Sequence, residues 1–187
     1  MRIVVGISGA SGAIYGVRTL QVLKRLGVES HLVLSETAAR TIAYETPFTV
    51  DDVTGLATKV YPVHDVAAAI SSGSFRTDGM VVAPCSIKTL AGIANSYNDN
   101  LLTRAADVSL KERRKLVLVV RETPLHLGHL RLMTAVTEMG AVLLPPMPAF
   151  YHKPQTVDDI IDQTIGKLLD QFGLDASLFK RWSGLDA

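Results

Sequence analysis

An α/β fold, a three-layer Rossmann-like sandwich around a mostly parallel sheet, is what this sequence predicts, and three observations carry the prediction. Short apolar runs alternate with helical patterns along nearly the whole chain. The runs are almost unbroken Val, Ile and Leu, the composition of strands covered on both faces. The small and polar residues capable of chemistry follow directly after these runs, at Ser8–Gly12, Ser35, Pro84–Thr89 and Arg121–Glu122. Ligands of parallel sheets bind beyond the carboxyl ends of the strands.

Taken in order, strands are predicted at 3–7, 29–34, 78–83, 115–120 and 141–144. Helices are predicted at 12–26, 36–45, 87–96, 100–112, 126–139 and 156–172. The first helix follows from Val17, Leu20, Leu23 and Leu26, which recur at helical spacing. The last carries a stripe of Val157, Ile161, Ile165, Leu168 and Phe172, with Thr156 and Asp159 spaced as a capping box. Residues 46–77 show no clear period, and Ser71-Ser72-Gly73-Ser74 reads as a loop. One domain is expected over 1–187, with the tail of 173–187, which holds the only tryptophan, Trp182, docking on a neighbouring subunit.

At 187 residues the chain can bury a full-sized core. A net charge of +1 gives no general attraction to nucleic acid or to an anionic membrane, so neither is expected as a partner. One cysteine excludes an internal disulfide framework and suits a reducing compartment. No apolar run approaches the length of a membrane span and the glycine-broken start is not a signal peptide, so a cytoplasmic location is expected.

The most informative stretch is Ile3 to Gly16, where a strand runs into Ser8-Gly9-Ala10-Ser11-Gly12 and then into a helix. That arrangement aims free backbone N–H groups and a helix N-terminus at an anion. The glycines at 6, 9 and 12 are spaced G-x-x-G-x-x-G, neither the dinucleotide fingerprint nor the P-loop. Ser8 and Ser11 stand where a triphosphate site would need lysine, so a mononucleotide phosphate, such as that of a flavin, is the expected ligand. The alternative is a tight turn that needs small residues for packing.

Ser86 and Thr89 open the next such turn and can cap a helix or bind an anion. Cys85 reads as a buried structural thiol, because no histidine lies nearby in sequence to activate it. Lys88 is expected to face solvent. Arg121-Glu122 directly after an apolar strand suggests a cation for a flavin or phosphate and a carboxylate for proton transfer. A plain salt bridge between the two is the alternative. His126 and His129 lie three apart but lack acidic or thiol neighbours, so no metal site is expected. Tyr151, His152 and Lys153 read as exposed loop groups open to a ligand, Lys167 as a cation beside the last apolar stripe, and Lys111–Lys115 as a solvated helix end.

Several strings together are specific: Ser8–Gly16, Tyr44–Thr46, Pro84–Ser86 with Thr89-Leu90, Asn98–Val108, Leu110–Arg114, Arg121–Pro124, Phe150–Gln155 and Arg181-Trp182. With them the chain closely resembles the UbiX-type flavin prenyltransferases, almost end to end. The resemblance implies a homo-oligomer, a dodecamer, that binds FMN between subunits. It implies transfer of dimethylallyl from its monophosphate to N5 and C6 of reduced FMN without metal. The product, prenylated FMN, would serve a UbiD-type decarboxylase.

Carried over by motif, FMN contacts fall on Gly9, Ala10, Ser11, Ser35, Ser86, Ile87, Lys88, Thr89 and Arg121. Prenyl-phosphate contacts fall on Arg104, Lys111, Tyr151 and Lys167, drawn from different subunits. Ser11 and Glu45 would form a proton relay, Glu122 would be the acid/base, and Trp182 would present an aromatic face to the allyl cation. Some members have a tryptophan before the serine-rich loop, where this chain reads His64-Asp-Val-Ala67. Two alternatives remain at this point: an FMN-dependent cysteine decarboxylase, whose asparagine-methionine substrate motif is absent from the sequence, and a non-catalytic FMN carrier.

Overall fold

Six strands, β1 (Arg2–Ile7), β2 (Glu29–Leu34), β3 (Lys59–Tyr61), β4 (Gly79–Cys85), β5 (Lys115–Val120) and β6 (Val142–Leu143), form one sheet in the order β3-β2-β1-β4-β5-β6. Every pairing is parallel, so the sheet is wholly rather than mostly parallel. The computed structural model describes residues 1–184; the last three residues of the expected docking tail lie outside the described residues.

Helices α1 (Ala13–Arg25), α2 (Glu36–Glu45), α3 (Val50–Thr54), α4 (Ile87–Ala94), α5 (Leu101–Lys111), α6 (Leu127–Glu138) and α7 (Val157–Asp170) cover the sheet. Side chains of a strand alternate between faces, and the two cores sort by that period. Ile3, Val5 and Ile7 join α1 and α7 in one core. Val4 falls in the other, with Leu90, Leu101 and Leu102 of α4 and α5. Burial on both faces explains why the strands read as unbroken apolar runs.

Two close approaches fix the layers. A Cβ at Gly16 would run into the Ala83 carbonyl oxygen, so α1 lies directly on the backbone of β4. The Arg18 guanidinium donates to both oxygens of Asp162, at 2.6 and 2.8 Å, and ties α1 to α7.

The structure corrects the sequence reading mainly in residues 46–77. This stretch holds α3, with a capping box between Thr49 and Asp52, then β3 and a 3-10 turn at Ala69–Ser71. β3 has three residues, of which only Tyr61 is buried, too short a run to show a period. Its place is held from the side: His31 Nδ1 lies 2.8 Å from the Tyr61 hydroxyl and His31 Nε2 2.8 Å from Glu29. The basic run after α5 is not merely solvated either. Arg114 donates to the carbonyl oxygens of Gly73 and Phe75, at 2.6 and 2.8 Å, and pins the serine-rich loop.

Candidate active site

The strand order reverses between β1 and β4, because the chain leaves β1 toward β2 on one side and returns to β4 on the other. Loops that diverge at such a point leave a crevice at the carboxyl edge of the sheet. Ser8 welds the two loops beside it. Its hydroxyl donates to the Pro84 carbonyl oxygen (2.9 Å) and accepts from the Ser86 amide (2.8 Å). Ser8 is 1% exposed, so its role is structural, not the ligand-facing one the sequence suggested.

The remaining loop groups face the crevice. Ser35 and Ser86 cap α2 and α4, accepting from the amides of Ala38 (3.1 Å) and Thr89 (3.2 Å). A cap of this kind satisfies the third amide of a helix and leaves the first two without an intrahelical partner. In α4 those are Ile87 and Lys88, and in α2 Glu36 and Thr37. Among the described residues, the backbone bonds also leave the Gly9 and Ser11 amides unused. A Cβ at Gly9 would collide with the Thr37 side chain, so only glycine lets the loop sit this close to α2. These free amides are the donor set an anionic phosphate requires, and the crevice fits a flavin nucleotide on that ground.

A cavity of about 760 Å³ opens here, lined by Gly9, Ser35, the Ser86–Thr89 turn, Gly92, Tyr97 and Glu122 among others. A second, of about 520 Å³, adjoins it and holds Ser11, Tyr15, Arg121, Glu122, Leu125 and Met147. Both volumes fall in the range of about 300–1,000 Å³ typical of small-molecule sites. Glu122 borders both. The structure gives no salt bridge between Arg121 and Glu122 among the described residues; Glu122 accepts instead from the Thr123 amide (3.0 Å). Glu45 accepts from the Gly12 amide at 2.7 Å, with Gly12 at φ +91°, a conformation suited to glycine. Glu45 thus abuts the loop that carries Ser11, through backbone and not through the serine hydroxyl.

Sequence reasoning passed over Thr37 and Tyr15. Tyr15 is half-buried in the smaller cavity, and burial raises its phenol above the ordinary tyrosine range against the opposing charge of Arg121. Its place one turn after Gly12 was the available clue. Cys85 is fully buried, and burial pushes its thiol well up, as expected of a structural cysteine. Lys88 is exposed and also borders the larger cavity. Glu36, beside the Ser35 cap, is held below the usual carboxylate range by His64, 3.0 Å away.

The other expected site residues stand apart within one chain. Arg104 binds the Ser71 carbonyl oxygen and Asp107, and Lys111 pairs with Glu112 at the far end of α5. Tyr151, Lys167 and Trp182 form a separate group along α7, where the Tyr151 and Trp182 rings meet edge to face at 6.0 Å. The rings of His126 and His129 lie 3.6 Å apart, tilted by 33°, and no group of three potential metal ligands occurs among the described residues. No helix among them is long and apolar enough to cross a membrane.

Comparison with known proteins agrees with this geometry. A family model described as Flavoprotein matches residues 1–169. A flavin prenyltransferase UbiX from Thauera aromatica is 68% identical over 184 residues, covering 98% of this chain and 95% of the relative. A crystal structure of a UbiX protein in complex with FMN and dimethylallyl pyrophosphate is 55% identical, covers 98% of this chain and 97% of its own, and superposes with a TM-score of 0.97. A dodecameric FMN-dependent UbiX-like decarboxylase from Escherichia coli O157:H7 matches equally well, with 55% identity, a TM-score of 0.97 and coverage of 98% and 100%. The chain belongs to the flavoprotein family, within its UbiX-type flavin prenyltransferase branch.

Proposed function

We propose that the chain is a flavin prenyltransferase that joins dimethylallyl, from dimethylallyl monophosphate, to N5 and C6 of reduced FMN. The observation that carries the reading is Glu122, an acidic group on the wall shared by two adjoining cavities, one of them rimmed by free helix amides. Reduced FMN supplies two nucleophilic ring positions. The bond to N5 would form as the prenyl carbon–oxygen bond to phosphate breaks, and the bond to C6 as the prenyl double bond is consumed. N5 and C6 would each give up a proton while the other alkene carbon takes one up. Glu122, 3.0 Å from the Thr123 amide and open to both cavities, is placed to take one of the released protons. Gly9, Ala10, Ser11, Ser35, the Ser86–Thr89 turn and Arg121 hold the nucleotide. Glu45 fixes the Gly12 amide and so sets the Ser11 loop against it.

Tyr151 and Lys167, with Arg104 and Lys111, take the prenyl phosphate, and Trp182 offers its ring to developing allylic charge. Since these groups lie on α5, on α7 and in the segments flanking α7, away from the crevice of their own chain, the site is completed in our reading by neighbouring subunits of a homo-oligomer, a dodecamer. A monophosphate leaves with stabilisation from lysine and arginine alone, and this reading therefore assigns no metal. It places the enzyme in the cytoplasm, as one domain, passing prenylated FMN to a UbiD-type decarboxylase.

The test is anaerobic incubation with reduced FMN and dimethylallyl phosphate, without Mg²⁺. Release of phosphate with a flavin heavier by one prenyl unit is the expected outcome. Recovery of unmodified flavin from protein with FMN bound would indicate a carrier. Release of CO₂ from a cysteine-ended peptide would indicate a cysteine decarboxylase.

A further inference from the structure

Beyond α7 the chain packs Leu174, Ala176 and Leu178 on the core, doubles back along the helix, and is tied to the end of that helix by the Asp170 carboxylate. Arg181 donates to both oxygens of Asp170, at 2.7 and 3.0 Å, and reaches Asp175 at 3.3 Å. Phe179 lies flush on Gly166, where any Cβ would strike its ring, and the Arg181 guanidinium sits 5.6 Å from the Phe179 centroid. This strap delivers Trp182 edge-on to Tyr151 at 6.0 Å. The same Asp170 has a second cationic neighbour one turn back, Lys167, whose ammonium stands 3.5 Å from Oδ2. That separation is an ion pair too long for a good hydrogen bond, whereas the arginine contacts are short and bidentate. Two cations compete for one carboxylate, and arginine holds it.

We propose that Arg181 is a positioning residue acting through Asp170: it occupies both carboxylate oxygens, leaves Lys167 available to the prenyl phosphate, and seats Trp182 against Tyr151. The inference rests on the reading of Lys167 and Tyr151 as phosphate ligands. Without Arg181, Asp170 is free to pair closely with Lys167, since residues three apart on a helix face each other. A phosphate would then have to displace a carboxylate to reach its lysine. One interaction has two effects, on the charge of the subsite and on the placement of the ring.

The two effects separate experimentally in holoenzyme loaded with reduced FMN. Arg181→Ala should raise KM for dimethylallyl phosphate about tenfold, the scale of one charge-assisted contact. It should also lower the fluorescence anisotropy of Trp182, the only tryptophan of the chain. Adding Asp170→Asn to that variant removes the competitor, so KM should return close to wild type while anisotropy stays low. Arg181→Lys, with one contact in place of two, should fall between. An unchanged KM in Arg181→Ala, or no recovery of KM in the double variant, overturns the proposal. Lys167→Ala separates the two readings: unchanged KM there removes the phosphate assignment itself, whereas the anisotropy of Arg181→Ala reports on the strap alone.

Discussion

The crevice at the carboxyl edge of the sheet and the strap along α7 are built from opposite materials. The crevice uses backbone amides and short hydroxyls, held by parallel strands and by Ser8, which is buried between two loops. The strap uses long cations and aromatic rings; Lys167 and Arg181 side chains are each 50% exposed and Trp182 is 57% exposed. A group fixed by the main chain loses little freedom when a ligand arrives, whereas a lysine or arginine surrenders rotamer entropy. The crevice is thus ready-made, whereas at the end of the strap, beyond the residues packed on the core, paired charges set where the side chains lie. Substitutions should hurt the first through shape and the second through charge.

Glu122→Gln tests the chemistry at the centre of the crevice and should have the largest effect. Shape is kept and the proton acceptor is lost, so turnover should fall about 10²–10⁴-fold while FMN still copurifies. Wild-type turnover would reduce Glu122 to a wall residue. Gly9→Val tests shape alone. Its side chain would collide with Thr37, and overpacking of about 1–3 kcal/mol should weaken FMN binding about ten- to a hundredfold. Adding Thr37→Ala should recover part of the loss, as read by flavin fluorescence titration. No recovery would mean that the clash is not the cause.

For the strap, Lys167→Ala should weaken dimethylallyl phosphate binding about tenfold and leave FMN affinity untouched. Equal losses for both ligands would erase the contrast between the two regions. The smallest effect is that of acid. Hydrogen bonds from Arg181 hold the Asp170 carboxyl below its ordinary value of 3.8. A carboxylate with a depressed folded-state pKa contributes its full stabilisation above the unfolded value and loses it as pH falls through the folded one. Trp182 anisotropy should therefore hold through the usual aspartate range and drop only in stronger acid. A drop centred at the ordinary value would show that the fork does not form in solution.

This contrast also decides what the sequence alone reveals. Backbone-built parts need particular small residues at fixed spacing, so the Ser8–Gly12 loop, the Ser86 helix cap and four of the sheet's strands can be read almost to their ends. β3 cannot, because one buried tyrosine carries it. Ser8 reads as ligand-facing from sequence, since nothing local says that its hydroxyl meets Pro84, 76 residues away. The same holds for Arg114 and Asp170, whose partners are set by how loops and tail return to the fold. A resemblance of family names Tyr151, Lys167 and Trp182 together, but only packing along α7 shows Arg181 and Asp170 among them.

Cys85 has a practical corollary for assays of the proposed reaction, which are run on reduced flavin. Its thiol is sealed inside β4 and kept protonated by burial. Peroxide, which reduced flavins generate when air leaks in, attacks thiolates and would find none on this chain to consume. For the same reason a cysteine introduced on the surface, at the strap for instance, becomes the single site that a maleimide dye can label, with the native residue left in place.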